Sequence, residues 1–319
     1  MSMKDDVSYT TEEIAHILKV SKLTVYDLIK KGELPAYRVG RQMRVDAHDL
    51  EAYKEKAKRG RTGKITAPSV AEKPPGESGQ IAHSARSIII SGQDISLDIL
   101  ASHMEKQAKG YRPLRSYAGS LNSLIAMYRG EADVVSTHLF DGDTGEYNLP
   151  YIRRILVGHP YIVIHLLSRW AGFYVMKGNP KKIRSWADLS RPDIRMVNRE
   201  KGSGVRVLVD EKLRMEGISA QQVSGYAVEE TNHIGVASKV ANGEADVGIG
   251  MEKAAHIVGV DFIPLIKERY DLVILKTPQN DELIDRLREI VQSDAFQKEL
   301  KAVGGYDLSQ TGQIMYETF

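Results

Sequence analysis

The sequence predicts a mixed α/β chain in two unlike parts. A small helical unit carries a β-hairpin, and a larger unit of alternating strands and helices is arranged as two lobes. Three observations carry the prediction. Two short amphipathic stretches precede Gly32, and strand-like alternation around Gly40-Arg41 follows them. Residues 60–85 then lose all periodicity, with Pro68, Pro74, Pro75, Gly76 and Gly79 among Ser, Glu and Lys, which is the pattern of a flexible linker. Beyond it strands and helices alternate, and the run G-E-A-D-V stands twice, at 130–134 and 243–247.

In the small unit, Thr10-Thr11-Glu12-Glu13 supplies a capping threonine and a following glutamate. Ile14, Ala15, Ile17 and Leu18 recur after it at helical spacing. Ser21 caps a second helix in which Val25, Leu28 and Ile29 face inward, and Gly32 stands where a left-handed residue ends it. Joined through Lys19-Val20, the two form a helix-turn-helix. Ala36-Tyr37-Arg38-Val39 and Gln42-Met43-Arg44-Val45 alternate about Gly40-Arg41 as a hairpin, a wing. A third helix, Ala47 to Lys58, covers the pair with Leu50, Tyr53 and Ala57. Ser21, Lys22, Thr24 and Tyr26 of the second helix, with Arg38, Arg41 and Arg44 on or beside the wing, gather cations and hydroxyls where double-stranded DNA fits.

Residues 8–58 resemble the excisionase-type, MerR-like winged helix-turn-helix domain, whose pattern is T-x-x-E-I-A-x-x-L-x-V-S-x-x-T-V-Y-x-L-I-x-x-G-x-L-x-A-x-x-V-G-R. The resemblance implies that the second helix enters the major groove and the wing touches phosphate.

Composition narrows the function classes. At 319 residues there is room for two or three domains. With no cysteine, disulfides, thiolate zinc sites and cysteine nucleophiles are excluded. The N-terminus is polar and no apolar run is long enough to span a bilayer, so the expectation is a cytoplasmic protein without a membrane partner. Net charge is +2. Residues 1–64 hold 14 Lys+Arg against 10 Asp+Glu, a charge of +4, while the remaining 255 residues carry −2 (30 against 32). The basic bias falls where DNA binding is expected.

In the large unit Ser87-Ile90 reads as a strand, Leu97 to Lys109 as a helix, Pro113-Tyr117 as extended, Leu121 to Arg129 as a helix and Ala132-Thr137 as a strand. That order implies a mostly parallel sheet covered on both faces. Each G-E-A-D-V closes a helix with a C′ glycine and opens a strand. Tyr161-Leu167 and Phe173-Met176 carry the chain between lobes, Tyr270-Leu275 returns it, and the helical pattern of Asp281 to Val303 packs back on the first lobe. The expected bounds are 1–59 for the DNA-binding domain, 60–85 for the linker and 86–319 for the rest. Lobe 1 takes about 86–170 and 265–319, lobe 2 about 171–264.

Residues 86–276 resemble the type II periplasmic-binding-protein fold, specifically its molybdate- and tungstate-binding kind. The likeness rests on S-G-Q-D at 91–94, G-S-L at 119–121, G-E-A-D-V-V-S-T-H-L-F-D with T-G-E-Y-N after it, and N-R with G-S-G-V-R at 198–206. E-E-T-N-H at 229–233 and E-R-Y-D-L-V at 268–273 complete it. Relatives of this kind occur joined to excisionase-type domains or to molybdopterin-biosynthesis enzymes. The resemblance implies a winged helix-turn-helix plus a two-lobed type II periplasmic-binding-protein-like domain that holds molybdate or tungstate.

In open α/β lobes ligands bind beyond the carboxyl ends of strands. Ser91, Ser120, Ser203 and Thr231 each stand just before a helix, two in each lobe, where backbone N–H groups and a hydroxyl receive an oxyanion. Arg199 and Arg206 flank one junction, and the pair favours a doubly charged or phosphate-bearing guest over a neutral-donor cage. Asp94, Thr137, His138 and Tyr270 complete the candidate set, with helix capping the competing role for Ser120, Ser203 and Asp94, and a surface ion pair with Glu200 or Asp210 that for Arg199 and Arg206. Glu229, Glu230 and His233 form an acid/base cluster that reads better as capping and surface solvation. No H-E-x-x-H, G-x-S-x-G, P-loop or complete dinucleotide fingerprint is present, so no catalytic residue, metal ligand or cofactor is assigned. The expectation is a homodimeric one-component transcriptional regulator that senses a small anionic ligand. The alternatives are a molybdenum-cofactor accessory protein or enzyme carrying a DNA-binding module, and an architectural DNA-bending factor.

Overall fold

The computed structural model describes residues 8–18, 25, 28–29, 34–39, 42–59 and 85–318. The chain divides into two compact units between Gly79 and Gln80. In the first, Thr10 caps the helix Thr11–Leu18 reciprocally: Thr10 N–H donates to Glu13 Oε2 at 2.8 Å, and Glu13 N–H donates to Thr10 Oγ1 at 3.3 Å. Ile14, Val25, Leu34, Val45 and Leu50 form the buried core, with Leu28, Ile29 and Tyr53 packed against it. The hairpin strands β2 (Tyr37–Val39) and β3 (Gln42–Asp46) pair antiparallel, and β3 pairs also with β1 (Ser8–Thr10), a strand the periodicity did not reveal. The covering helix runs Ala47–Arg59. The expected second-helix cap at Ser21, the Gly40-Arg41 turn and the linker lie outside the described residues.

The second unit is built on one ten-stranded sheet. Its main path is β5-β4-β6-β11-β7-β10-β8-β9, where β4 is Arg86–Ser91, β5 Tyr111–Ser116, β6 Val134–Thr137, β7 Tyr161–Val175, β8 Met196–Arg199, β9 Glu229–Glu230, β10 Val247–Met251 and β11 Asp261–Leu275. The outer trios β5-β4-β6 and β10-β8-β9 are parallel, as strand-helix alternation requires. Between them β7 and β11, fifteen residues each, pair antiparallel with two register shifts. These two long strands run through both halves. The apolar runs of β7 are buried on both sides because helices cover both faces.

Each half has its own core. Ile88, Ile90, Leu97 and Leu100 of the first pack with Ile162 and Ile164 of β7 and with Leu283, Leu287, Phe296 and Leu300 of the two C-terminal helices, Asp281–Gln292 and Asp294–Val303. Phe173, Val175, Met196, Val209, Val247 and Ile249 form the second. Both G-E-A-D-V turns behave alike: Gly130 and Gly243 take φ of 75° and 72° after helices ending at Tyr128 and Ala241. The short strands β12 (Tyr306–Asp307) and β13 (Ile314–Glu317) return to β7.

Because Phe296 is fully buried between the C-terminal helices and the first half, Phe296→Ala should lower unfolding free energy by about 3–5 kcal/mol. Urea denaturation followed by circular dichroism measures this, and a loss near zero would show that the helix does not seal that core.

Candidate functional site

The parallel strands of both halves end toward one region. β4 and β6 end at Ser91 and Thr137, β8 and β10 at Arg199 and Met251. There the helix Ser120–Tyr128 of the first half meets the helix Gly204–Met215 of the second, end to end at their N-termini. Leu121 N–H donates to the Gly202 carbonyl at 2.9 Å across the junction. Glycine is what allows the approach: a Cβ on Gly119 would lie 2.6 Å from the Gly202 carbonyl oxygen, and one on Gly204 would lie 2.4 Å from the His138 ring. A second bridge joins the halves through Gln93, whose Oε1 accepts from Arg199 Nη2 at 2.6 Å and whose Nε2 donates to Glu200 at 2.9 Å.

Ser120, Ser203, His138, Arg199 and Tyr270 come together around this junction, all buried. Ser120 Oγ and His138 Nδ1 are 2.9 Å apart, and Ser203 Oγ caps its helix by accepting Arg206 N–H at 3.2 Å. The Tyr270 ring stacks on His138 at 5.0 Å, and its hydroxyl accepts from Ser136 Oγ at 2.8 Å. Burial, reinforced by the carboxylate charge of Asp94, pushes the Tyr270 phenol up to about 12.

Beneath them lies a group the sequence reading missed. Arg169, in the middle of β7, donates to Glu268 Oε2 at 3.0 Å, to Asp94 Oδ2, and to Met251 Sδ at 3.4 Å. Its guanidinium lies 4.9 Å from the centre of the Tyr270 ring. Burial draws the Arg169 pKa down, and Glu268 and Asp94 more than reverse this, so it stays charged. His138 and His233 are held well below the usual imidazole range, first by burial and then by Arg169 and Arg199. Both are neutral at pH 7, each offering one N–H and one lone pair. His233, set aside above as surface solvation, has its Nδ1 buried without a hydrogen-bond partner, so that reading is corrected. The signal for Arg169 and Glu268 was present as charges inside otherwise apolar strands.

Several expected ligand residues are spent elsewhere. Ser91 Oγ is 2.9 Å from Ser123 Oγ. Asp94 is the counter-ion of Arg169, accepts Ser96 N–H and Tyr306 O–H at 2.8 Å each, and as an acceptor repels rather than receives an anion. Thr137 points to the other face of β6 from Ser136 and donates to Asn148 Oδ1 at 3.2 Å. Arg206 binds Glu229 at 2.7 Å and Asp210 at 3.2 Å, and Thr231 is exposed, giving only its carbonyl to Arg199. Arg199 itself pairs with Glu200 at 2.8 Å. The arginines therefore do not argue for a doubly charged or phosphate-bearing guest, because each already has a carboxylate.

Of the expected DNA contacts, Ser21, Lys22, Thr24, Tyr26 and Arg41 lie outside the described residues, and Arg38 is described only as part of β2. Arg44 is half-buried and ties β3 to β1 by donating to Ser8 Oγ at 3.2 Å. No cluster of three or more His, Cys, Asp or Glu able to hold a metal occurs among the described residues, and none of their helices is long and apolar enough to cross a membrane.

A DNA-binding helix-turn-helix joined to a two-lobed binding domain defines the class, and comparison with known proteins agrees. A helix-turn-helix domain model matches residues 8–58 and a PBP superfamily domain model matches residues 101–292; the chain belongs to the periplasmic-binding-protein superfamily. The uncharacterized protein YvgK of Bacillus subtilis is 51% identical over 317 residues, 99% of this chain and 100% of that one. Molybdate-binding protein ModA of Mycobacterium tuberculosis is 30% identical over 174 residues, 52% of this chain and 60% of ModA. In fold the chain is similar to Corynebacterium glutamicum OxyR (TM-score 0.51, 12% identity, covering 92% of this chain and 89% of OxyR). It is similar also to the sulfate-binding protein SubI of Mycobacterium tuberculosis (0.50, 16%, covering 69% and 86%).

The glycine contact generates a prediction. Gly119→Ala should hold the two halves apart, read by small-angle scattering as a larger radius of gyration than wild type; an unchanged radius would show that closure does not depend on that approach.

Proposed function

We propose that the chain is a transcriptional regulator that binds double-stranded DNA through its N-terminal domain and senses a small oxyanion, molybdate or tungstate, with its C-terminal domain. It acts where the DNA is, in the cytoplasm, and as a homodimer, since a single short helix-turn-helix makes few base contacts. The observation that carries the reading is the meeting of two helix N-termini from opposite halves, with Ser120 and His138 on one side and Ser203 on the other. Helix starts present backbone N–H groups and positive dipole ends, which receive an anion without needing an unpaired cation. Similarity to ModA over half the chain supports molybdate as the first candidate.

The guest influences DNA only if it binds one arrangement of the halves better than another. β7 and β11 cross from half to half, so a change in their bend is the structural difference a guest at the junction selects.

Calorimetry with sodium molybdate, tungstate, sulfate and phosphate tests the ligand. Heat with molybdate and tungstate is expected, Ser120→Ala should weaken binding by about tenfold or more through one lost hydrogen bond to an anion, and no heat with any of the four overturns the reading. For the regulatory half, a duplex selected for binding to the full chain should change affinity by about fivefold or more on adding the anion. Fluorescence anisotropy measures this, and an unchanged affinity would remove the sensing role.

A further inference from the structure

The charges beneath the junction do not balance. Arg169 carries one positive charge and binds two carboxylates, Asp94 and Glu268, and the three are 3%, 4% and 1% exposed. Arg199, the next cation, is already engaged by Glu200. With both carboxylates ionised, the buried trio keeps one net negative charge, separated by the Tyr270 and His138 rings from a site read as taking an anion. Two like charges held close in a low-dielectric interior are strongly unfavourable unless one is neutralised.

Hydrogen bonding points independently to the same residue. Glu268 gives Oε2 to Arg169, but its Oε1 is buried without any partner, and so is the Tyr147 hydroxyl. A buried carboxylate oxygen lacking a donor is costly, whereas a protonated carboxyl becomes a donor itself. The groups acting on Glu268 come from every neighbouring element: Arg169 on β7, Asp94 ahead of the helix Ser96–Gln107, and Arg199 on β8. Tyr147 and Tyr174 in turn feel its charge, and burial first, then Glu268, raises the Tyr147 phenol, so neither tyrosine supplies the proton. Burial raises the Glu268 pKa against the opposing pull of Arg169.

Resting on the oxyanion reading of the junction, we infer that Glu268 takes up one proton when the guest is captured. As the dianion enters, a proton from solution comes onto Glu268 Oε1, beneath the junction and linked to it through Arg169, Tyr270 and His138. The trio becomes neutral and its orphan oxygen becomes a donor. Capture is thereby coupled to proton uptake, and affinity falls as pH rises wherever the free protein holds Glu268 ionised.

The test is calorimetry of the full chain with sodium molybdate at pH 8 in two buffers of unlike ionisation heat, repeated across pH 7 to 9. The expected result is uptake of about one proton per anion and a fall in affinity of about tenfold per pH unit. Glu268→Gln, which keeps an oxygen for Arg169, should remove both effects. Equal heats in the two buffers overturn the inference while leaving the oxyanion reading intact. Proton uptake that persists in Glu268→Gln overturns it in favour of His138 or His233. Absence of heat with molybdate, tungstate, sulfate and phosphate alike overturns the oxyanion reading and this inference together.

Discussion

Arg169 is the constraint on which the C-terminal unit depends. It is fully enclosed on β7, one of the two strands that cross between halves, and a buried guanidinium persists only if its donors are met. They are met from three places in the sequence, Asp94 from the first half, Glu268 from β11 and Met251 from β10, and Tyr306 of β12 in turn donates to Asp94. Removing one partner of such a group typically costs about 3–5 kcal/mol, because a charge is then left buried and unpaired. An apolar replacement of the whole set would lose far less. Stability alone therefore does not explain why charge is retained at this place.

What the network does explain is position. Arg169 lies over the Tyr270 ring, Tyr270 stacks on His138, and His138 is within hydrogen-bonding distance of Ser120 at the start of a helix. The crossing strand and the inter-half junction are thus linked by three successive contacts between buried groups. Closely packed side chains of this kind have few alternative arrangements, so these contacts give a physical route between the crossing strands and the helix start. Gly119, Gly202 and Gly204 complete the linkage by letting backbone meet backbone and ring where any side chain would intervene.

Much of this was legible because it is local. The Thr10–Glu13 cap, the two C′ glycines and the serines ahead of helices follow from short-range chemistry that each segment carries in itself. The direction of a side chain across a sheet is not local. Ser136 and Thr137 are neighbours, yet the pleat sends one to Tyr270 and the other to Asn148. Arg206 faces Asp210 one helical turn on and also donates to Glu229 and the Arg199 carbonyl, so its charge is already met by partners that helical periodicity alone does not reveal. Arg169 and Glu268 face each other only once β7 and β11 are paired, ninety-nine residues apart in sequence.

The pairing of Arg169, Arg199 and Arg206 bears on the kind of anion site proposed for the junction. On the proposed reading a guest would meet no free guanidinium among Arg169, Arg199 and Arg206, each of which has a carboxylate partner. Two neutral imidazoles, buried hydroxyls and the N-termini of two helices supply direction without net charge, and such donors are held fixed by the fold before the guest arrives. A site of that kind would select by geometry. A loose cluster of cations would instead accept any anion of sufficient charge.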